Sequence, residues 1–128
     1  MDIDTLKQAL ILADAAMELQ AADPVLLDVQ GLVSYADYLL VLTGTSVPHV
    51  QALADALRRR AKAEGISVIS AEGTQAAKWA LLDFGDVVVH VFQPAERGYY
   101  DLEGMWGEVP RVEIPGADEA PSAQFYAP

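Results

Sequence analysis

The segment Trp79-Ala80-Leu81-Leu82-Asp83-Phe84-Gly85-Asp86-Val87-Val88-Val89-His90-Val91-Phe92 places two apolar runs around a short break of Asp, Phe, Gly and Asp. Such a pattern predicts a β-hairpin closed by a tight turn. With Phe84-Gly85 as the turn residues, Asp83 pairs with Asp86, Leu82 with Val87, Leu81 with Val88 and Trp79 with His90. Side chains alternate across a strand, so this register sorts them onto two faces. Ala80, Leu82, Val87, Val89 and Val91 share one face, which has no polar side-chain atom and is core. Trp79, Leu81, Asp83, Asp86, Val88, His90 and Phe92 share the other. It is apolar in the middle, carries Trp and His at one end, and is acidic at the other. Two fates are open to it. Beneath a covering helix, the indole N–H and the imidazole nitrogens need internal partners. Left open, it is a Trp-anchored apolar patch with a polar rim, the composition of a protein contact.

A chain of 128 residues, 52% of them hydrophobic, has enough material for one domain with its own core. Cysteine is absent, which removes disulfides, thiol catalysis and Cys-based metal sites together. No N-terminal apolar run with a basic flank occurs, and no apolar span reaches the roughly 20 residues of a membrane helix. A soluble, cytoplasmic protein without membrane contact is expected. The net charge of −11 argues against recognition of nucleic-acid phosphates, which requires a positive footprint. The basic cluster Arg58-Arg59-Arg60 with Lys62 falls in the last turns of a predicted helix, where cations favour the dipole and stay solvated. Little direct nucleic-acid contact is expected. An acidic domain is better suited to docking on a basic protein.

Asp4 or Thr5 can cap a first helix running to about Ala22, stopped by Asp23-Pro24. Val25–Gln30 reads as a strand ended by Gly31, and Asp37–Thr43 as a second strand, antiparallel to it because the link is short. Ser46 is the expected N-cap of a helix from Val47 to about Glu64, with Pro48 in its first turn. Val50, Leu53, Ala54, Leu57 and Ala61 form the buried stripe of that helix, and Gly65 follows its end. Ile66–Ser70 is a third strand, and the hairpin supplies the fourth and fifth. Pro94–Met105 makes a short helix punctuated by Gly98 and Gly104. From residue 107 to 128 Pro, Gly, Ala and acids dominate without periodicity, so a disordered tail follows a domain spanning 1–106. The expected architecture is α/β: a mixed five-stranded sheet with two long helices and a short C-terminal helix. Two long helices cover one sheet face thoroughly, whereas the short one covers only part of the other, which favours an open Trp79 face.

Three catalytic readings fail on the residues they need. Gly44-Thr45-Ser46 between strand and helix resembles the Gly-Ser turn of nucleotidyltransferases, where a helix start receives phosphate. Those enzymes also hold Mg²⁺ on a carboxylate pair, yet no Asp-x-Asp lies on a strand, and Asp55 sits inside a helix without an acidic partner. The turn reads instead as an ordinary helix cap. His90 with Asp83, Asp86 and Asp28 makes a poor metal or base site, since His90 and Asp86 lie four positions apart, roughly 13 Å along a strand. Ser46 as nucleophile lacks a base and an orienting group. No catalytic residue, cofactor or metal is expected. Arg97-Gly98-Tyr99-Tyr100-Asp101-Leu102-Glu103-Gly104-Met105-Trp106, by contrast, concentrates the residue types of binding hot spots. Part of that set, drawn from Tyr100, Leu102 and Trp106, serves simply to pack the helix on the sheet.

The ordered set Leu27-Asp28-Val29, Ala36-Asp37-Tyr38, Thr43-Gly44-Thr45-Ser46 with His49-Val50, Glu72-Gly73, Trp79 with Asp83, Gly85-Asp86-Val87-Val88-Val89-His90, Arg97 with Tyr99-Tyr100, and Leu102-Glu103 with Trp106 resembles the ribosomal silencing factor family, also called Iojap-related. The resemblance covers nearly everything from the first helix to Trp106, with Met105 where Leu is more usual. It implies a nucleotidyltransferase-like fold without the catalytic carboxylates. It also implies a non-enzymatic repressor that binds the large ribosomal subunit through its fourteenth ribosomal protein and sterically blocks joining of the small subunit when nutrients are scarce. Homodimers are implied for the free protein. On this reading Trp79 is the anchor, and Leu81 and Val88 extend its apolar patch. His90, Tyr100 and Trp106 flank it, while Asp83 and Asp86 face the partner's Lys and Arg side chains. The rival readings are a nucleotidyltransferase-like enzyme and a self-associating module using the same face.

Overall fold

The Asp4 carboxylate accepts the Leu6 N–H and caps α1, Thr5–Glu18. The computed structural model describes residues 4–100, 107–117 and 120. α1 stops before the expected Ala22 because Gln20 turns left-handed at φ 57° and the Ala21 N–H closes back on the Ala16 carbonyl. β1, Ala22–Asp28, therefore starts ahead of Asp23-Pro24, which had read as a stop. Its register shifts between Ala22 and Val25, with Asp23 at φ 43°, and this bulge takes the proline into the strand. β2, Tyr38–Thr43, runs antiparallel to β1 as expected.

Ser46 caps α2, Val47–Ala63, by accepting the His49 N–H, and Val50, Leu53, Ala54, Leu57 and Ala61 are its buried stripe. Gly44 lets this helix approach the sheet. A Cβ there would lie 2.6 Å from Val50 Cγ2 and 3.0 Å from the Val50 nitrogen. His49 brackets the same corner: its Nδ1 accepts the Thr45 N–H at 2.9 Å, and its Nε2 meets the Leu19 carbonyl at 2.8 Å, joining the start of α2 to the end of α1. Arg60 adds ion pairs to Asp14 and Glu18 of α1, and Arg59 pairs with Asp55. Part of the basic cluster thus serves helix packing instead of standing merely solvated.

β3 is Ser70–Glu72, not the expected Ile66–Ser70. Gly65 at φ 74° and the Ile66 N–H bonded to the Ala61 carbonyl hold the chain on the helix end, so residues 66–69 reach the sheet late. β4, Trp79–Asp83, and β5, Val87–Phe92, form the hairpin, but its turn centres on Gly85-Asp86. Gly85 has φ 91°, and the Asp83 carboxylate accepts its N–H at 2.8 Å. Trp79 is opposite Phe92, Leu81 opposite His90 and Asp83 opposite Val88. Relative to expectation every partner moves two positions along β5. The cause is Phe84, which is buried in the core instead of standing in the turn. A slip of two preserves both faces, because the side-chain period is two.

α3 spans Pro94–Tyr100, and the rest of the helix expected to Met105 lies outside the described residues. β6, Arg111–Val112, pairs antiparallel with β1, and Ile114 is buried beyond it. Among the described residues the sheet therefore has six strands, not five, in the order β3-β4-β5-β2-β1-β6, and it continues past the expected boundary at Gly107. Two-residue pairing flanked by Pro, Gly and acids leaves no periodicity to read. β2 and β5 run parallel, and the other neighbours antiparallel.

Both long helices lie on one sheet face. There Leu12, Ala16, Leu53 and Leu57 pack on Leu40, Leu42, Leu82, Val89 and Val91. The opposite face holds a smaller cluster of Leu27, Val29, Ala36, Leu39 and Val88, partly shielded by Val33 and Val109. Gly44→Ala is expected to lower stability by about 1–3 kcal/mol through overpacking against rigid Val50. Gly65→Ala meets open space, so it should cost only the left-handed backbone penalty of about 1–2 kcal/mol. Urea denaturation of both variants checks the pair.

Candidate partner-docking face

On the face turned away from α1 and α2, the strand ladder gathers the rings of Trp79, His90 and Phe92. The Trp79 and Phe92 ring centroids are 5.1 Å apart with planes 24° from parallel, and His90 lies 5.9 Å from each. Phe92 is buried and forms the floor, whereas Trp79 and His90 are half-buried. The indole Nε1–H donates to His90 Nδ1 at 3.1 Å. An imidazole nitrogen that accepts carries no proton, so the neutral ring is the Nε2–H tautomer. His90 sits between Leu81 on β4 and Val41 on β2, both apolar. Burial there pushes its pKa down to about 4.

The backbone around Trp79 is braced at several points. Gly73 at φ 77° passes so close to the Trp79 carbonyl that a Cβ would collide with it. Ala77 adopts φ 56°, its N–H bonds the Gly73 carbonyl, and its own carbonyl accepts Gln93 Nε2 at 2.9 Å. The Gln93 N–H donates to Lys78. Gln51 Nε2 holds the Thr74 and Gln75 carbonyls from α2. Arg97 on α3 donates to Thr43 Oγ1 at 2.7 Å and fixes α3 at the end of β2. Gln93 and Ala77 escaped the sequence reading; a side chain that bonds backbone groups beside a strand end leaves no periodic signature.

Leu81, Asp83 and Val88 lie on the same strand face as this stack, and Asp86 stands in the hairpin turn. Leu81 is half-buried beside His90, whereas Val88, expected to extend the open apolar patch, is buried in the cluster of Leu27, Val29, Ala36 and Leu39 and adds no exposed area. Asp83 and Asp86 stand at the far end, Asp83 with one oxygen engaged by the turn and Asp86 exposed. Tyr100 ends α3, and its side chain and all of Trp106 lie outside the described residues. Leu32 and Tyr35, read from sequence only as a link, are exposed large apolar side chains on the neighbouring loop.

The Gly44–Ser46 turn is built differently from a phosphate cradle. The Gly44 N–H bonds the Phe92 carbonyl, the Thr45 N–H bonds His49, and the Ser46 hydroxyl is the helix cap. Among the described residues no group of three or more His, Asp or Glu is placed to hold a metal ion. No helix among them is long and apolar enough to cross a membrane.

Residues 2–127 match the family described as "Ribosomal silencing factor during starvation". The chain belongs to the ribosomal silencing factor family. A ribosomal silencing factor from Bacillus subtilis is 43% identical over 109 residues, covering 84% of this chain and 92% of that protein. The chloroplastic Iojap protein of Zea mays is 37% identical over 114 residues, covering 89% of this chain and 50% of that protein. A crystal structure of a Chromobacterium violaceum protein superposes with a TM-score of 0.80 at 35% identity, over 82% of this chain and 88% of that one. The mixed α/β arrangement of open sheet and helices is thus shared with a solved structure of similar sequence.

Within this silencing-factor fold, the His90 ring should remain neutral at pH 7 and charge only toward pH 4. Its folded pKa lies below the ordinary 6.5, so the unfolded chain takes up the proton first as pH falls. The stability tied to this ring is fully present above about pH 6.5 and is lost as pH falls through about 4. An NMR titration of the imidazole resonances measures the midpoint, which an ordinary value near 6.5 would contradict.

Proposed function

We propose that this chain silences ribosomes without catalysis, by occupying a protein surface on the large subunit, its fourteenth ribosomal protein, so that the small subunit is sterically kept from joining, chiefly under nutrient limitation. The observation that carries this reading is the half-buried Trp79 ring, braced by Phe92 and His90 on the sheet face that α1 and α2 leave to other contacts. A rigid aromatic anchor with apolar neighbours and an acidic margin is the composition of a hot spot for a basic protein. Leu81 and the Leu32–Tyr35 loop extend the apolar area, and Asp83 and Asp86 supply negative charge at its end. Relatives over most of the chain carry the name of ribosomal silencing factors, which supports the ribosome as the target. The Gly44–Ser46 turn, with its amides and hydroxyl engaged within the fold, supports a role without nucleotide chemistry.

Trp79→Glu tests the anchor. Truncating a central hot spot costs at least about 2 kcal/mol, roughly thirtyfold in affinity, and a buried charge adds to that. The variant should keep its far-UV circular dichroism and fail to co-sediment with large subunits. Co-sedimentation at wild-type level would falsify the docking assignment. Nucleotide with Mg²⁺ should leave the Tm unchanged; a rise of several degrees that Ser46→Ala removes would favour an enzyme instead.

A further inference from the structure

The Trp79–His90 hydrogen bond has a chemical direction. Indole offers a donor and no acceptor, so His90 must present a bare Nδ1 at the 3.1 Å contact. The side chain of a neutral His has one such nitrogen, and Asp, Ser or Thr at this position would not reproduce both the flat ring and its lone pair. The register explains why His and not another residue reaches Nε1. Trp79 stands directly opposite Phe92, and His90 is two positions earlier on the same face, diagonal to the indole. The His90 and Phe92 rings lie within 6° of parallel, so one rests against the indole as floor and the other takes its N–H at the edge.

Resting on the docking role given to Trp79, we propose that His90 is a positioning residue that holds the indole in its partner-binding rotamer through the Nδ1 acceptor, and does not itself form the grip. Two consequences separate this from a general packing role. The indole N–H is taken up by His90, so the partner meets the carbon framework of Trp79 and not its donor, and apolar or cationic side chains of a basic protein suit that surface. An ordered rotamer also removes the cost of immobilising a large side chain on association. Losing the hydrogen bond should therefore weaken binding by about two- to tenfold, without loss of fold.

Three measurements test it on the full-length protein with purified large subunits. His90→Phe retains ring size and stacking but deletes the acceptor, and should bind about two- to tenfold more weakly while its circular dichroism is unchanged. His90→Asn places Oδ1 where Nδ1 stood, and should recover most of the lost affinity despite having no ring. In the wild-type protein, ¹⁵N–¹H correlation of the imidazole should show Nε2 protonated and Nδ1 bare, with the Trp79 indole proton protected from exchange. Wild-type affinity in the Phe variant, an Asn variant as weak as Phe, or a protonated Nδ1 would each overturn the assignment. Should the Phe variant fail to fold, the tautomer and the Asn variant still decide it. Failure of the underlying docking reading looks different: the Trp79→Glu protein would then bind normally, whatever the state of the His90 ring.

Discussion

Alternation of side chains along β2, β4 and β5 commits every second residue to the two long helices, and everything else in this protein follows from what that leaves over. Tyr38, Leu40 and Leu42, Ala80 and Leu82, and Val87, Val89 and Val91 all point toward α1 and α2. Those helices can satisfy one face only. The residues between them in sequence, Leu39, Trp79, Leu81, Val88, His90 and Phe92, are thereby turned to the other side. There the loop of residues 29–36 and Val109 bury the part near Leu27 and Val88. The ring cluster occupies the part near β4. Its position is thus a by-product of core formation, set by the same parity that makes the core continuous.

That parity also explains which features were legible in the sequence. Local pattern places the hairpin two residues out of register yet sorts its strand residues onto the right faces, because an even slip leaves inward and outward residues unchanged. The misplaced turn came from Phe84, a residue whose burial depends on tertiary contacts that local turn preferences do not contain. Helix α2 was legible throughout, since Ser46, Pro48, the spacing of Val50 to Ala61, and Gly65 all gave one consistent message. β3 and the end of α1 were not, because left-handed Gln20 and the Ile66-to-Ala61 closure redirect the chain after the pattern has been written. β6 was invisible for a simpler reason: two residues cannot display a period.

The candidate face shows the same division. Strand alternation alone puts Trp79, Leu81, Asp83 and His90 on one face, whereas Asp86, expected opposite Asp83, stands in the turn. How these residues are held was not legible. The bond from indole to imidazole requires a diagonal pairing that exists only in the observed register. The clamp of Gln93 on Ala77 and Lys78, and the passage of Gly73 under the Trp79 carbonyl, join segments whose connection no local pattern announces. Glycines that looked like loop punctuation are sites of close backbone approach: Gly44 admits α2, and Gly73 admits the strand that carries the indole.

The pairing of Arg111–Val112 with β1 closes one side of the sheet with a strand of two residues, and the other side ends at Ser70–Glu72. Among the described residues both border strands are short, and the one at Ser70–Glu72 is followed at once by a left-handed glycine. Borders this short among the described residues disfavour association through shared main-chain hydrogen bonds. Association is then left mainly to side chains, where shape and charge choose the companion.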